Sequence, residues 1–103
     1  MEVLIRIVCK GNSSLREKIV SDKKLKNYNL EVSSHRTAGR NPGWAKIHST
    51  EHNGAININW YARANTLVCR IVTKGSNKPD NIISDFMAYL IVRHRKRIKA
   101  IIC

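Results

Sequence analysis

Apolar residues recur along this chain at two periods, and the change of period marks out its elements. Residues 3–9, VLIRIVC, alternate: Val3, Ile5, Ile7 and Cys9 share one face, and Leu4, Arg6 and Val8 the other. That is the pattern of a central strand with one face fully covered. Gly11–Asn12–Ser13 reads as a turn. Ser14, with Glu17 three residues on, forms a capping box. It predicts a short helix with Leu15, Ile19 and Val20 as a narrow apolar stripe, fraying near Ser21–Asp22. Alternation returns over residues 30–36, LEVSSHR, and again from Trp44 to Ser49. It is clearest where Ile56, Ile58 and Trp60 face one way and Asn57, Asn59 and Tyr61 the other.

Turn signals separate these segments. Residues 37–43, TAGRNPG, form the most loop-like stretch, and Asn53–Gly54 carries a hairpin signal. Ala62 to Asn65 turns into a further strand over residues 66–74. Residues 75–79, GSNKP, break the sheet. From Pro79 or Asp80 the period becomes helical, with Ile82, Ile83, Phe86, Met87, Leu90, Ile91 and His94 spaced by three and four. This helix closes in Arg93, His94, Arg95, Lys96 and Arg97, cations placed where the helix dipole favours them. Residues 98–103, IKAIIC, make a last strand.

The resulting order is β-α-β-β-β-β-α-β within a single domain, residues 1–103. It predicts an α+β fold: a mostly antiparallel sheet of five or six strands with two helices packed on one face. The order suits a ferredoxin-like variant with an added hairpin. In that arrangement the first helix returns the chain beside the first strand, and the second sets the last strand near the middle. The alternative leaves IKAIIC at a sheet edge, open to pairing with a second copy.

Charge changes the picture. Lys and Arg number 19 against 7 Asp and Glu, a formal net charge of +12, while 43% apolar content argues against disorder. So large a surplus on a small domain repels itself and calls for a polyanion. Nucleic acid comes first, RNA or DNA, and an acidic protein second. Cys9, Cys69 and Cys103 are odd in number and widely spaced, which fits free thiols in predicted strands and a reducing compartment. No apolar run approaches the roughly 20 residues of a membrane span. The N-terminal MEVLIRIVCKG, interrupted by Arg6 and carrying Glu2, has neither signal- nor transit-peptide character. The expectation is a cytoplasmic protein.

Four groups of residues bear on chemistry. The segment 35–52 holds His35, Arg36, Arg40, Trp44, Lys46, His48 and His52, cations to grip phosphate and an indole to stack on an unpaired base. Arg93, Arg95, Lys96, Arg97 and Lys99 form a basic cluster that contacts backbone without reading sequence. Asn57, Asn59, Tyr61 and Arg63 present a polar strand face with an aromatic. Lys10 to Ser14 serve as turn and cap. The leading expectation is a nucleic-acid-binding protein that prefers RNA or single strands, since no helix-turn-helix pair is visible. An enzyme reading competes with it: a metal-independent ribonuclease with His35 and His48 as general base and acid. His48 and His52 lack a convincing ligand set for a metal, and no pattern calls for a cofactor.

Overall fold

The computed structural model describes residues 2–11, 13–36, 43–74 and 78–103, with backbone alone at His35 and Arg36. Its strands are β1 (Glu2–Cys9), β2 (Leu30–Arg36), β3 (Gly43–Ser49), β4 (Gly54–Tyr61), β5 (Thr66–Thr73) and β6 (Ile98–Ile102). Two α-helices join them, α1 (Leu15–Val20) and α2 (Asp80–His94), with 3-10 segments at Lys23–Tyr28 and Arg95–Arg97. The six strands form one sheet in the order β2-β3-β4-β5-β1-β6, every pair antiparallel. The α+β class and the element order are those the alternation predicts.

The first crossover differs from expectation. α1 returns the chain not beside β1 but to the far edge, so that β2 begins a four-strand meander leading back to β1. α2 carries the chain across β1 and leaves β6 at the other edge, the second of the two placements the sequence left open. The topology is a split β-α-β arrangement widened by one hairpin. The cause lies in the short turns: β2 to β5 are sequential antiparallel neighbours, so they must stack side by side and push β2 outward.

One face of the sheet carries the core. Ile5, Ile7 and Cys9 of β1, Ala45 and Ile47 of β3, Ile56, Ile58 and Trp60 of β4, and Leu67, Cys69 and Ile71 of β5 are all buried. Leu15 and Ile19 of α1 and Ile82, Phe86, Tyr89 and Leu90 of α2 close over them. Each buried Ile, Leu or Phe side chain contributes roughly 1.5–3 kcal/mol by leaving water. Ser14 caps α1 as expected, its Oγ accepting the Glu17 N–H at 3.3 Å. The segment Lys23–Tyr28 was not legible, because it buries only Leu25 and has no apolar period. Of the three thiols, Cys9 and Cys69 are buried, while Cys103 is exposed because it follows an edge strand.

Two turns hold the strand ends in register. Asn65 takes the left-handed conformation, φ 49°, that a small polar side chain tolerates. Its amide nitrogen donates to the carbonyls of Cys9, at 2.8 Å, and Gly11, tying the β4–β5 turn to the end of β1. The Ser49 hydroxyl accepts the His52 N–H at 2.9 Å and shapes the β3–β4 turn. Gly54, expected in that turn, instead opens β4. A Cβ there would stand 2.6 Å from Ile82 Cδ1 and 2.9 Å from the Val72 carbonyl oxygen. Gly54→Ala is therefore expected to cost about 1–3 kcal/mol through overpacking. Thermal unfolding will show a Tm lower by several degrees; an unchanged Tm contradicts this account of the α2–sheet contact.

Candidate nucleic-acid interface

Strand alternation places a second set of side chains on the face away from the helices, and no described element packs on it. Register fixes their arrangement. Trp44, Asn59, Val68, Arg6 and Ile102 stand on one rung across β3, β4, β5, β1 and β6. At about 4.8 Å per strand this row is roughly 19 Å long. Lys46, Asn57, Arg70 and Leu4 form the next rung in one direction, and Tyr61, Thr66, Val8 and Ala100 the next in the other. Trp44 and Tyr61 are diagonal neighbours on β3 and β4, which sets them about 7–8 Å apart. Both are exposed, at 36% and 41%. A groove of about 470 Å³ runs between Leu4, Arg6, Tyr61, Val68 and Arg70.

Arg6 and Lys46 are exposed on this face, and Arg70 is paired with Glu2 at 3.1 Å. His48 is held at the far end: its Nδ1 meets the Ser33 hydroxyl at 2.6 Å and its Nε2 lies 3.6 Å from Glu31 Oε2. Ser33 reaches it because the register between β2 and β3 shifts at Val32/Ser34, a bulge that re-aims the strand. His35 pairs through its backbone with Ala45, three residues along β3 from His48 and so roughly 10 Å away along the strand. The described contacts of His48 are thus with Ser33 and Glu31. Arg36 lies opposite Trp44 by backbone register, and Arg40 falls outside the described residues.

The cluster at the end of α2 divides into two kinds of cation. Arg93 grips Asp22, with Nε 3.1 Å from Oδ2 and Nη2 3.2 Å from Oδ1. Arg97 donates to the Ser13 carbonyl, while its own carbonyl accepts the Lys10 N–H at 2.7 Å. These two brace the fold. Arg95, Lys96 and Lys99 are exposed. A further cation, Arg16, is buried beside Gly43, with Nη2 3.2 Å from Glu17 Oε1.

Around Asp22 a polar network links the 3-10 segment to α2. The Tyr89 hydroxyl donates to Asp22 Oδ2 at 2.9 Å and lies 2.7 Å from His94 Nε2. Tyr28 and Tyr89 meet edge-on at 5.6 Å. Burial alone would push the Asp22 carboxyl up, but hydrogen bonds from Arg93, the Lys24 N–H and Tyr89 bring it down to about 2. Burial lowers His94 below its ordinary value; the Asp22 carboxylate opposes that shift, and Arg93, Lys18 and Arg97 reinforce it. Burial, then the bond to Asp22, pushes the Tyr89 phenol upward. The hydrogen bonds make the network a structural tie that occupies Arg93.

Sequence reasoning passed over Arg6 and Arg70. Their signal was present, since each is the cation at an outward position of an otherwise apolar strand. No group of three metal-ligating side chains occurs among the described residues, and no described helix is long and apolar enough to cross a membrane. Comparison with protein-family models, curated proteins and solved structures finds no match.

The network sets the response to acid. The unfolded chain takes up protons more readily than the folded one at both His94 and Asp22, so stability falls with pH. The first decline begins below about 6.5 and belongs to His94; the second runs from 3.8 to about 2 and belongs to Asp22. Asp22→Asn is expected to cost about 2–3 kcal/mol near neutrality and to flatten the lower decline. Denaturant midpoints measured across pH check this; an acid profile identical in the variant contradicts it.

Proposed function

We propose that this protein binds nucleic acid on the uncovered face of its sheet, taking unpaired RNA or DNA and contacting backbone more than sequence. The observation that supports it is a single one. Two exposed aromatics, Trp44 and Tyr61, stand among Arg6, Arg70, Lys46, Asn57 and Asn59 on a face with no helix over it. Bases in a single strand have free π-faces, and an aromatic on an open sheet receives them whatever their sequence. The guanidinium and ammonium groups beside the rings then meet phosphate, and a net charge of +12 draws the polyanion in. The two amides, Asn57 and Asn59, offer hydrogen bonds to base edges.

A duplex fits this face less well. Its bases are stacked inward and give Trp44 and Tyr61 nothing to stack on, and no continuous helix is presented for a major groove. The neutral, apolar members of the face, Leu4, Val8, Val68 and Val72, suit base and sugar surface rather than an acidic protein.

Fluorescence anisotropy with labelled single-stranded RNA, single-stranded DNA and duplex, over a salt series, tests the proposal. Single strands are expected to bind with an affinity that falls log-linearly with salt, at a slope of about 0.7 per phosphate neutralised. Trp44→Ala or Tyr61→Ala is expected to weaken binding about 5- to 100-fold, the worth of one stacked base. Lys46→Ala lowers the salt slope by about 0.7 instead. Failure to bind any of the three at low salt contradicts the proposal, and capture of an acidic polypeptide by the same surface would replace it. A denaturing gel of the same samples addresses the ribonuclease alternative, with uncut RNA the expected result.

A further inference from the structure

Beyond the sheet face, the fold collects a second group of cations with a different character. Register and turn contacts bring three connections together at one end of the strands. The β1–α1 connection carries Lys10, the β4–β5 turn carries Arg63, and the α2–β6 connection carries Arg95, Lys96 and, at the start of β6, Lys99. They are bonded to one another: the Lys10 N–H to the Arg97 carbonyl, the Arg97 guanidinium to the Ser13 carbonyl, and the Asn65 amide to the carbonyls of Cys9 and Gly11. All five named cations are exposed, around connections that Arg93 and Arg97 tie by hydrogen bonds to Asp22 and the Ser13 carbonyl.

The opposite end is electrically different. Glu2 at the start of β1, Glu31 in β2, Glu51 in the β3–β4 turn and Asp80 at the start of α2 all lie there, beside Lys74 and Lys78. A polyanion is therefore drawn more strongly toward the Lys10–Lys99 end than toward the other. That end adjoins the open face, because Tyr61 and Ala100 occupy its terminal rung and Lys99 follows directly.

The two surfaces call for different strands. Among the described residues the exposed aromatics are Trp44 and Tyr61, both on the sheet, and the cationic platform has none. A compact group of cations without a stacking partner matches dense phosphate, and a duplex carries one charge per about 1.7 Å, twice the density of a single strand. We infer that the preferred ligand is a junction of single strand and duplex: unpaired nucleotides on the sheet face, the duplex backbone against Lys10, Arg63, Arg95, Lys96 and Lys99. The inference rests on the proposed nucleic-acid reading and adds to it the ligand's shape.

Labelled single strand, blunt duplex and duplex with a 5′ or a 3′ overhang, matched in total length, test it by anisotropy in both RNA and DNA. One overhang junction is expected to bind at least about tenfold tighter than single strand or duplex, since two linked contacts raise each other's effective concentration. Combined replacement of Arg95, Lys96 and Lys99 by alanine should abolish that preference and leave single-strand affinity within about threefold, because those groups lie off the sheet face. Thermal unfolding confirms that the variant is folded. Junctions that bind no tighter than single strand overturn the inference while leaving the sheet-face reading intact. A preference that survives the triple replacement also overturns it. Loss of single-strand binding by the wild type fails the underlying reading instead.

Discussion

Two helices can cover only one face of a six-stranded sheet, and the rest of the structure follows from that limit. Six strands at about 4.8 Å make a sheet roughly 24 Å wide, and two helices of about 10 Å lying side by side span most of it once. α1, α2 and the 3-10 segment Lys23–Tyr28 supply that single layer. Every large aliphatic of β3, β4 and β5 is accordingly turned toward it, from Ile47 through Ile58 to Ile71. The face left over has to live in water, and it does so with Arg6, Lys46, Asn57, Asn59 and Arg70 spaced among Leu4, Val8, Val68, Val72 and Ile102. Trp44 and Tyr61 are its aromatics. Two large aromatics are left in solvent on one sheet face, and the proposed function rests on them.

Cations are spent in two ways in this molecule, and sequence proximity does not distinguish them. Arg93 and Arg97 lie among Arg95, Lys96 and Lys99 in the chain, yet the first two are bonded to Asp22 and to the Ser13 carbonyl. α2 ends at His94, where the backbone leaves the helical conformation, and the following 3-10 turn sets Arg97 over the β1–α1 turn. These two arginines hold the end of α2 against the 3-10 segment and the β1–α1 turn. The external group is exposed beside these ties, and no carboxylate among the described residues is paired with it. The proposed polyanionic partner draws on a charge surplus distributed in this way.

The fold was largely legible because its strands alternate strictly. Ile56–Ile58–Trp60 against Asn57–Asn59–Tyr61 announces both a strand and its buried side, and Ser14–Glu17 announces the start of α1. What stayed hidden depends on contacts between distant residues. The Asp22 carboxylate lies 71 positions from Arg93, and no local pattern marks either as the other's partner. The bulge that brings Ser33 to His48 is a property of pairing, not of LEVSSHR alone. Gly54 looked like a turn residue next to Asn53, whereas its missing side chain makes room for Ile82. The candidate site was half visible: Trp44, Lys46 and Tyr61 stood out individually, but their common face, and the inclusion of Arg6 and Arg70 in it, required the strand order.

Amide chemical-shift mapping during titration with an unlabelled single-stranded oligonucleotide tests the central claim most directly. The account predicts the largest changes along the rung Trp44–Asn59–Val68–Arg6–Ile102 and at Tyr61, with the indole N–H of Trp44 shifting and the outer positions of α2 such as Asn81 and Ser84 unmoved. Changes confined to the helical layer, with the sheet rungs silent at saturation, would contradict it.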